Sequence, residues 1–141
     1  MTKKASEPQI HLRGINFKSH KPALSDNLKN LEIKIDLKNM DFQKINENNV
    51  YEGVMGVSLW GVNHESKETI FEVHVSYSVI IELTGFNEDE LMSIFHINLS
   101  NFTYPYIRAD ISRVVSDSGF PRVSLPLVDF AKIYQDKYKK T

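Results

Sequence analysis

The sequence predicts an α+β fold in which a four-stranded antiparallel β-sheet carries a long helix and a C-terminal helix packed on one side. Two observations carry this prediction. Residues 31–37 and 69–83 alternate apolar and polar side chains, which is the period of half-buried strands. After residue 84 the spacing of apolar residues changes to that of helices and does not change back. Strands followed by helices along a chain favour a sheet with the helices gathered on one side.

Four segments are predicted to be strands. Residues 10–17 alternate with a phase slip near Gly14, which is typical of a β-bulge. Residues 31–37 alternate without a fault, whereas residues 50–62 carry apolar side chains on both faces and suit a strand that is covered on both sides. In residues 69–83 every odd position from Phe71 to Leu83 is apolar. The lengths and spacing of the four segments predict an antiparallel meander.

Three helical segments are predicted to follow. Asn87, with Glu90 three residues later, has the pattern of a capping box before a short helix. In the stretch 105–121, PYIRADISRVVSDSGFP, Pro105 suits the first helical turn and Gly119 suits the left-handed residue just past the end of a helix. Asp129 is predicted to cap the last helix.

Length and composition indicate a single soluble domain. We expect a flexible N-terminus over residues 1–8, one domain over residues 9–138 and a basic tail over residues 139–141. The 17 Lys and Arg residues nearly balance the 18 Asp and Glu residues, which argues against nucleic-acid binding. The absence of cysteine excludes disulfides and thiol chemistry. Since no signal peptide and no apolar run of about 20 residues occur, we expect a cytoplasmic protein that does not insert into membranes.

The sequence does not predict an enzyme. It contains no phosphate-binding loop, no nucleophile elbow and no metal-binding histidine spacing, so no catalytic residue, metal or cofactor is predicted. Glu72 and His74 share one face of a strand, and they are the one feature that supports the alternative of a small-ligand-binding protein or an enzyme. Asp110 and Arg113, three residues apart on a helix, are predicted to form a surface ion pair.

Apolar and aromatic residues exceed what one sheet face and a few short helices require. The surplus lies in the segment from Phe86 to Tyr106 and on the third strand. A surplus of this kind suggests association of the chain with itself or with other chains. Methionine and aromatic side chains suit surfaces that accept partners of many shapes.

Residues 105–134, PYIRADISRVVSDSGFPRVSLPLVDFAKIY, resemble the signature region of the SecB family of export chaperones. In that family a Phe/Pro-Tyr-x-Arg helix precedes a Phe-Pro turn and a final helix capped by Asn or Asp. The resemblance continues upstream through ETIFEVHVSYSVIIELTGF, VYEGVMGVSLWGV, LEIKIDL and QIHLRGINFKSHKPA, and it covers nearly the whole chain. It implies an ATP-independent holdase that binds non-native polypeptides, such as precursor proteins for export, and that assembles as a homotetramer, a dimer of dimers.

The resemblance also implies roles for individual residues. The helix over residues 105–118 is implied to form the interface between dimers. Its interface residues would be Tyr106, Ile107, Ile111, Val114 and Val115. Clients are implied to lie in apolar grooves lined by the crossover segment and the last helix. The client-binding residues would be Phe86, Leu91, Met92, Phe95, Phe102, Tyr104, Phe130, Ile133 and Tyr134. A place in the ordinary core is the alternative for each of them.

Two kinds of partner follow from the resemblance. Export members dock the motor SecA through acidic residues on the first strand and on the outer face of the fourth. The matching positions here are Gly14, Lys18, Glu72 and His74, of which Glu72 alone is acidic. A basic docking segment would therefore meet little complementary charge. The family also includes chaperones dedicated to the antitoxin of a toxin–antitoxin system, and this alternative stays open beside general export.

Overall fold

The computed structural model describes residues 2–138, so the predicted basic tail lies outside the described residues. The five strands are β1 (Lys4–Ala5), β2 (Gln9–Ser19), β3 (Leu31–Lys44), β4 (Val50–Asn63) and β5 (Thr69–Thr84). The helices are α1 (Ser25–Leu28), α2 (Glu88–Ser93), a π-helix (Ile94–Leu99), α3 (Ser100–Asp117) and α4 (Phe130–Tyr138). This order confirms the predicted α+β fold class. Within residues 2–138 no helix has the length and apolar character needed to cross a membrane.

The strand order differs from the predicted meander. β3, β4 and β5 are consecutive antiparallel neighbours, but β2 pairs with β5 and not with β3. The connection through α1 therefore carries the chain from one edge of the sheet to the other. The meander prediction was wrong because alternation specifies which face of a strand is buried, while it contains no information on which strand is the neighbour.

Two bulges keep apolar side chains on the helix-facing side of the sheet. In β2 the register shifts between Leu12 and Gly14, which confirms the phase slip seen in the sequence. In β3 the register shifts between Lys38 and Asp41, and Met40 within the bulge is buried. Because a bulge inserts one extra residue, the apolar positions change from even to odd numbers in β2 and from odd to even in β3 without leaving the core face. β3 thereby extends beyond the predicted residues 31–37 to Lys44.

The core lies between the odd-numbered face of β5 and helix α3. All odd positions of β5 from Phe71 to Leu83 are buried, as their pattern predicts. The Tyr77 hydroxyl donates a hydrogen bond to Asp110 of α3. Burial is the larger cause and this hydrogen bond the smaller cause that raise the pKa of Tyr77 to about 12. Asp110 also accepts from Arg113 at 3.4 Å, so the predicted ion pair is present and its acid is tied to the sheet.

The helices α2 and α3 and the π-helix between them follow one another without a break from residue 88 to residue 117. Pro105 consequently lies inside α3, and its predicted place in a first turn was wrong. The π-helix widens the preceding turn, and polar side chains bond to its carbonyls: Ser100 Oγ donates to Phe95 O at 2.9 Å and Thr103 Oγ1 to Leu99 O at 2.7 Å. Gly119 ends this helical region with φ of +90°, as its position predicts.

The N-terminal residues form an element that the sequence did not predict. Lys4 and Ala5 pair with Thr84 and Leu83 of β5, so β1 lies on the same edge of β5 as β2. The predicted flexibility of residues 1–8 and the predicted single domain over residues 9–138 remain predictions.

Candidate functional site

The crossover from the sheet to α3 begins with a fully formed helix cap. Asn87 Oδ1 accepts from the Glu90 N–H at 2.8 Å, and Glu90 Oε1 accepts from the Asn87 N–H at 3.0 Å. This reciprocal arrangement is the predicted capping box. Hydrogen bonds from Lys3 and from the Asn87 backbone hold the pKa of Glu90 below its usual value. The cap fixes where α2 starts, and therefore how the apolar residues after it are directed.

Most residues implied to bind clients are buried within the single chain. Five side chains lie in the core: Leu91, Phe95, Tyr104, Phe130 and Tyr134. In the single chain they are core residues, and their implied role in client binding stays a prediction. The other four are half-buried or exposed and form what we call the candidate client surface: Phe86, Met92, Phe102 and Ile133.

Phe95 is the residue that fixes the crossover on the sheet. Its ring is fully buried and stacks on Phe42 of β3, with ring centroids 4.1 Å apart and planes 4° apart. Gly53 of β4 makes room for it, because a Cβ at that position would lie 2.9 Å from the ring and 2.6 Å from Met40 Sδ. The sequence left open whether Phe95 binds a client or belongs to the core; in the single chain it packs on the sheet.

His96 joins the crossover to α4, and its role was missed in the sequence. Its ring lies 5.9 Å from the Tyr134 ring and 4.8 Å from the Tyr138 ring, and it meets Phe42 edge-on at 6.0 Å. Burial lowers the pKa of His96, Lys137 lowers it further, and Asp41 opposes both. A histidine next to Phe95 in an apolar segment was the available signal, but only the fold places two tyrosines beside it.

The linker before α4 is held by Tyr104. Its hydroxyl donates to the Pro126 carbonyl at 2.7 Å, and its ring meets Phe130 edge-on at 5.5 Å. Asp129 Oδ1 accepts from the Lys132 N–H at 3.1 Å, which confirms the predicted cap of α4. The interactions of Tyr104 and His96 hold α4 against the crossover, and Ile133 of α4 is half-buried.

The residues implied to form the dimer–dimer interface divide into two sets. Ile107, Ile111 and Val115 are 0% exposed and pack on the sheet of their own chain, and their implied role at the interface stays a prediction. They are spaced four residues apart on α3, which is the buried stripe of a helix. Tyr106 is 45% exposed and Val114 is half-buried, and these two remain available to another chain.

The four positions implied to dock a motor lie together on the outer face of the sheet. Lys18 is directly opposite Glu72 in the β2–β5 register, and Gly14 is opposite Ser76. Both oxygens of Glu72 are engaged by histidines: Oε2 by His20 Nε2 at 2.8 Å and Oε1 by His74 Nε2 at 3.0 Å. The hydrogen bonds from His74 and then His20 hold the pKa of Glu72 below its usual value. The one acid among these four positions is therefore already partnered.

The same face carries a hydrogen-bonded chain that resembles a hydrolytic triad. Ser58 Oγ lies 2.7 Å from His74 Nδ1, and His74 Nε2 lies 3.0 Å from Glu72. A cleft of about 710 Å³ borders Ser58 and His74. Ser58, however, lies in the central strand β4, whose backbone pairs with β3 and β5, so its N–H groups are not free to stabilise an oxyanion. Within residues 2–138 no group of three or more potential ligands is arranged to hold a metal ion.

The structure belongs to a known class of chaperone folds. It superposes on a SecB-like chaperone from Mycobacterium tuberculosis, solved in complex with a ChAD peptide from an antitoxin, with a TM-score of 0.73 over 90% of this chain and 91% of that one. The two sequences are 12% identical, so this similarity concerns the fold.

The sequence matches the profile of the family described as "Preprotein translocase subunit SecB" over residues 20–141. The chain belongs to the SecB family. It is 28% identical over 136 residues to the protein-export protein SecB of Chromohalobacter salexigens, covering 96% of this chain and 82% of the relative. It is 27% identical to SecB of Orientia tsutsugamushi over 138 residues, with 94% and 83% covered. The match to SecB of a Ruegeria species spans 98 residues at 28% identity, 70% of this chain and 60% of the relative.

Family membership confirms the resemblance seen in the sequence and separates this chain from enzymes. SecB proteins are chaperones, so the chain of Ser58, His74 and Glu72 is a structural network of the outer face and not a catalytic site.

Proposed function

We propose that this chain is an ATP-independent holdase that binds extended, non-native polypeptides through the candidate client surface. One observation supports this most directly. In a member of the SecB family, the crossover and α4 are fixed by buried aromatics, while Phe86, Met92, Phe102 and Ile133 are left accessible above them. Apolar burial of client side chains supplies affinity with little sequence preference.

Suppression of aggregation tests the proposal. The protein should prevent aggregation of a chemically unfolded client without ATP, and Met92→Asp and Ile133→Asp should each weaken binding by roughly tenfold or more, since burial of one such side chain is worth about 1.5–3 kcal/mol. The matched control is Leu24→Asp, because Leu24 is 61% exposed in the loop before α1 and lies outside the candidate client surface. Equal loss in the control, or no suppression by the unaltered protein, would refute the proposal.

Assembly as a homotetramer is part of the proposal. The outer face of α3 supports it, because Tyr106 is 45% exposed and Val114 is half-buried there. The solution mass is expected near four times 16.3 kDa. Tyr106→Asp should reduce that mass with the fold intact, while Ile111→Ala should lower the free energy of unfolding by about 2–5 kcal/mol because it opens a cavity in the core. An unchanged mass in Tyr106→Asp would exclude this face as the interface.

A dedicated client, such as an antitoxin, is the second candidate, and the outer face of the sheet favours it. The SecB-like chaperone with the same fold was solved with an antitoxin peptide. At the four matched docking positions, Glu72 is paired with two histidines and Lys18 lies beside it, so a basic motor segment would meet little free negative charge there.

Pull-down from the cytoplasm of the native host separates the two candidates. General export predicts many unprocessed precursors and recovery of SecA, whereas a dedicated chaperone predicts one dominant small partner. Fractionation of the same cells tests the proposed cytoplasmic location.

A further inference from the structure

The N-terminal residues 2–6, which we call the strap, lie along the C-terminal end of β5, at residues 82–84. The Ser6 N–H donates to the Glu82 carbonyl at 3.0 Å, and Ser6 Oγ accepts from the Glu82 N–H at 2.9 Å. Lys4 and Ala5 continue the pairing to Thr84 and Leu83. The strap therefore occupies an edge of β5 by backbone pairing, in the way that an added strand does.

The strap also contacts the crossover. Lys3 forms an ion pair with Glu90 of α2, and its Nζ lies 5.9 Å from the centroid of the Phe86 ring. The backbone of the strap passes so close to Gly85 that a Cβ there would lie 2.8 Å from Thr2 O, and Gly85 has φ of +85°. Because Phe86 belongs to the candidate client surface, the strap covers one end of that surface.

The contacts that hold the strap are those of a weakly attached segment. Every side chain from Thr2 to Glu7 is exposed, so the strap buries little apolar surface. Its ladder is two residues long, and its ion pair is open to solvent. Segments with few buried contacts and exposed hydrogen bonds are the first to open in a folded protein.

We propose that the strap occupies, in the free protein, the place that an extended segment of a bound client takes. The client segment adds to the edge of β5 at residues 82–84, directs a basic side chain to Glu90 and lays an apolar side chain on Phe86. The strap satisfies the same backbone groups and the same carboxylate until the client displaces it. This inference rests on the proposed holdase function and adds a particular site and a chemical preference to it.

A reversible cross-link tests the strap within one sample. Lys4 and Thr84 are directly opposite in an antiparallel pair, where Cα atoms lie about 4.5–5.5 Å apart and suit a disulfide. The natural sequence has no cysteine, so Lys4→Cys with Thr84→Cys creates a single possible bond. Binding of a fluorescently labelled, permanently unfolded polypeptide is measured before and after reduction, and free thiols are counted in each state.

The expected result is weaker binding in the oxidised protein and recovery on reduction. Removal of residues 2–6 should tighten binding by about fivefold or more, if the strap is closed in at least four molecules of five. Equal affinity of the oxidised and reduced forms, or of the truncated and complete chains, would overturn the strap inference while leaving the holdase function standing. Failure of every form to bind the unfolded polypeptide would instead refute the holdase function. If the thiol count shows that the cross-link does not form, the truncation alone decides.

Charge substitutions test the role of Glu90. Lys3→Glu repels Glu90 and should tighten client binding, while Lys34→Glu on β3, at the opposite edge of the sheet, makes the same change of charge and should not. Two synthetic peptides that differ by one Lys replaced with Glu should bind the truncated chain unequally, the basic peptide more tightly. Equal effects of the two substitutions, or equal binding of the two peptides, would remove the charge preference from the proposal.

Discussion

The fit between Gly61 of β4 and the Phe71 ring of β5 allows a quantitative test of the core. A Cβ built on Gly61 would lie 2.3, 2.7 and 2.8 Å from three atoms of that ring, far inside van der Waals contact. The ring cannot move away freely, because it is fully buried, with the Phe120 ring 4.6 Å away and the Phe17 ring 5.9 Å away. Gly61→Ala should therefore lower the free energy of unfolding by about 1–3 kcal/mol, the usual cost of overpacking.

A double-mutant cycle isolates this clash from other effects of the substitution. Phe71→Leu removes the two nearest ring atoms, so Gly61→Ala should cost little in that background, and the coupling energy should be about 1 kcal/mol or more. Urea unfolding at one fixed protein concentration gives the four free energies, and the melting temperature of Gly61→Ala should fall by roughly 3 °C per kcal/mol.

The control for the cycle is Gly14→Ala. Gly14 is exposed and an added Cβ there meets no atom within 4 Å, so the free energy of unfolding should stay within about 0.5 kcal/mol of the original. If Gly61→Ala lowers the free energy of unfolding equally in the original protein and in the Phe71→Leu variant, the clash with the Phe71 ring is not the reason that residue 61 must be glycine.

The remaining predictions concern one hydrogen bond, one titration and one helix cap. Tyr77→Phe removes the hydroxyl that bonds Asp110 and should lower the free energy of unfolding by about 1.5–3 kcal/mol, as measured by urea titration. Burial lowers the pKa of His96, so the folded state binds a proton at this residue less readily than the unfolded state does. The contribution of His96 to stability is therefore complete above about pH 6.5 and is lost as the pH drops below that value. His96→Phe should abolish this part of the pH dependence of the urea midpoint. Asn87→Ala breaks the capping box with Glu90 and should cost about 1 kcal/mol, whereas Asn87→Ser should be nearly neutral.

The faces of the strands and several helix ends were predictable from the sequence, although the start of α3 was not. Alternation through β5 identified its buried side chains. Local chemistry identified Asn87 and Asp129 as caps at the start of helices and Gly119 as the residue past the end of one. Each of these features depends on residues within a few positions of one another. Local patterns are sufficient for such features because helices and strands have short periods.

The partners of apolar residues could not be predicted in the same way. Ile111 and Phe95 have the same apolar character whether they pack on their own sheet or on another chain, and only the tertiary placement of α3 and the π-helix decides between the two. The pairing of β2 with β5, the contacts of His96 with α4 and the strap joined to Glu90 likewise connect residues far apart in sequence. Their local sequence carries no signal for the partner.

The pairing of β2 with β5 has a consequence for how this chaperone itself reaches its fold. The partners in that ladder are separated by 52 residues, from Ser19 to Phe71, up to 71 residues, from Gln9 to Ile80. During synthesis β2 leaves the ribosome before β5, which is complete only once Thr84 has followed. Until then the apolar residues of β2 have no strand to pair with and stay exposed. Closing so long a loop is slow compared with forming the β3–β4 and β4–β5 hairpins. We therefore expect the three later strands to assemble first and β2 to dock last, which makes the growing chain of this chaperone briefly resemble the unfolded polypeptides that it is proposed to bind.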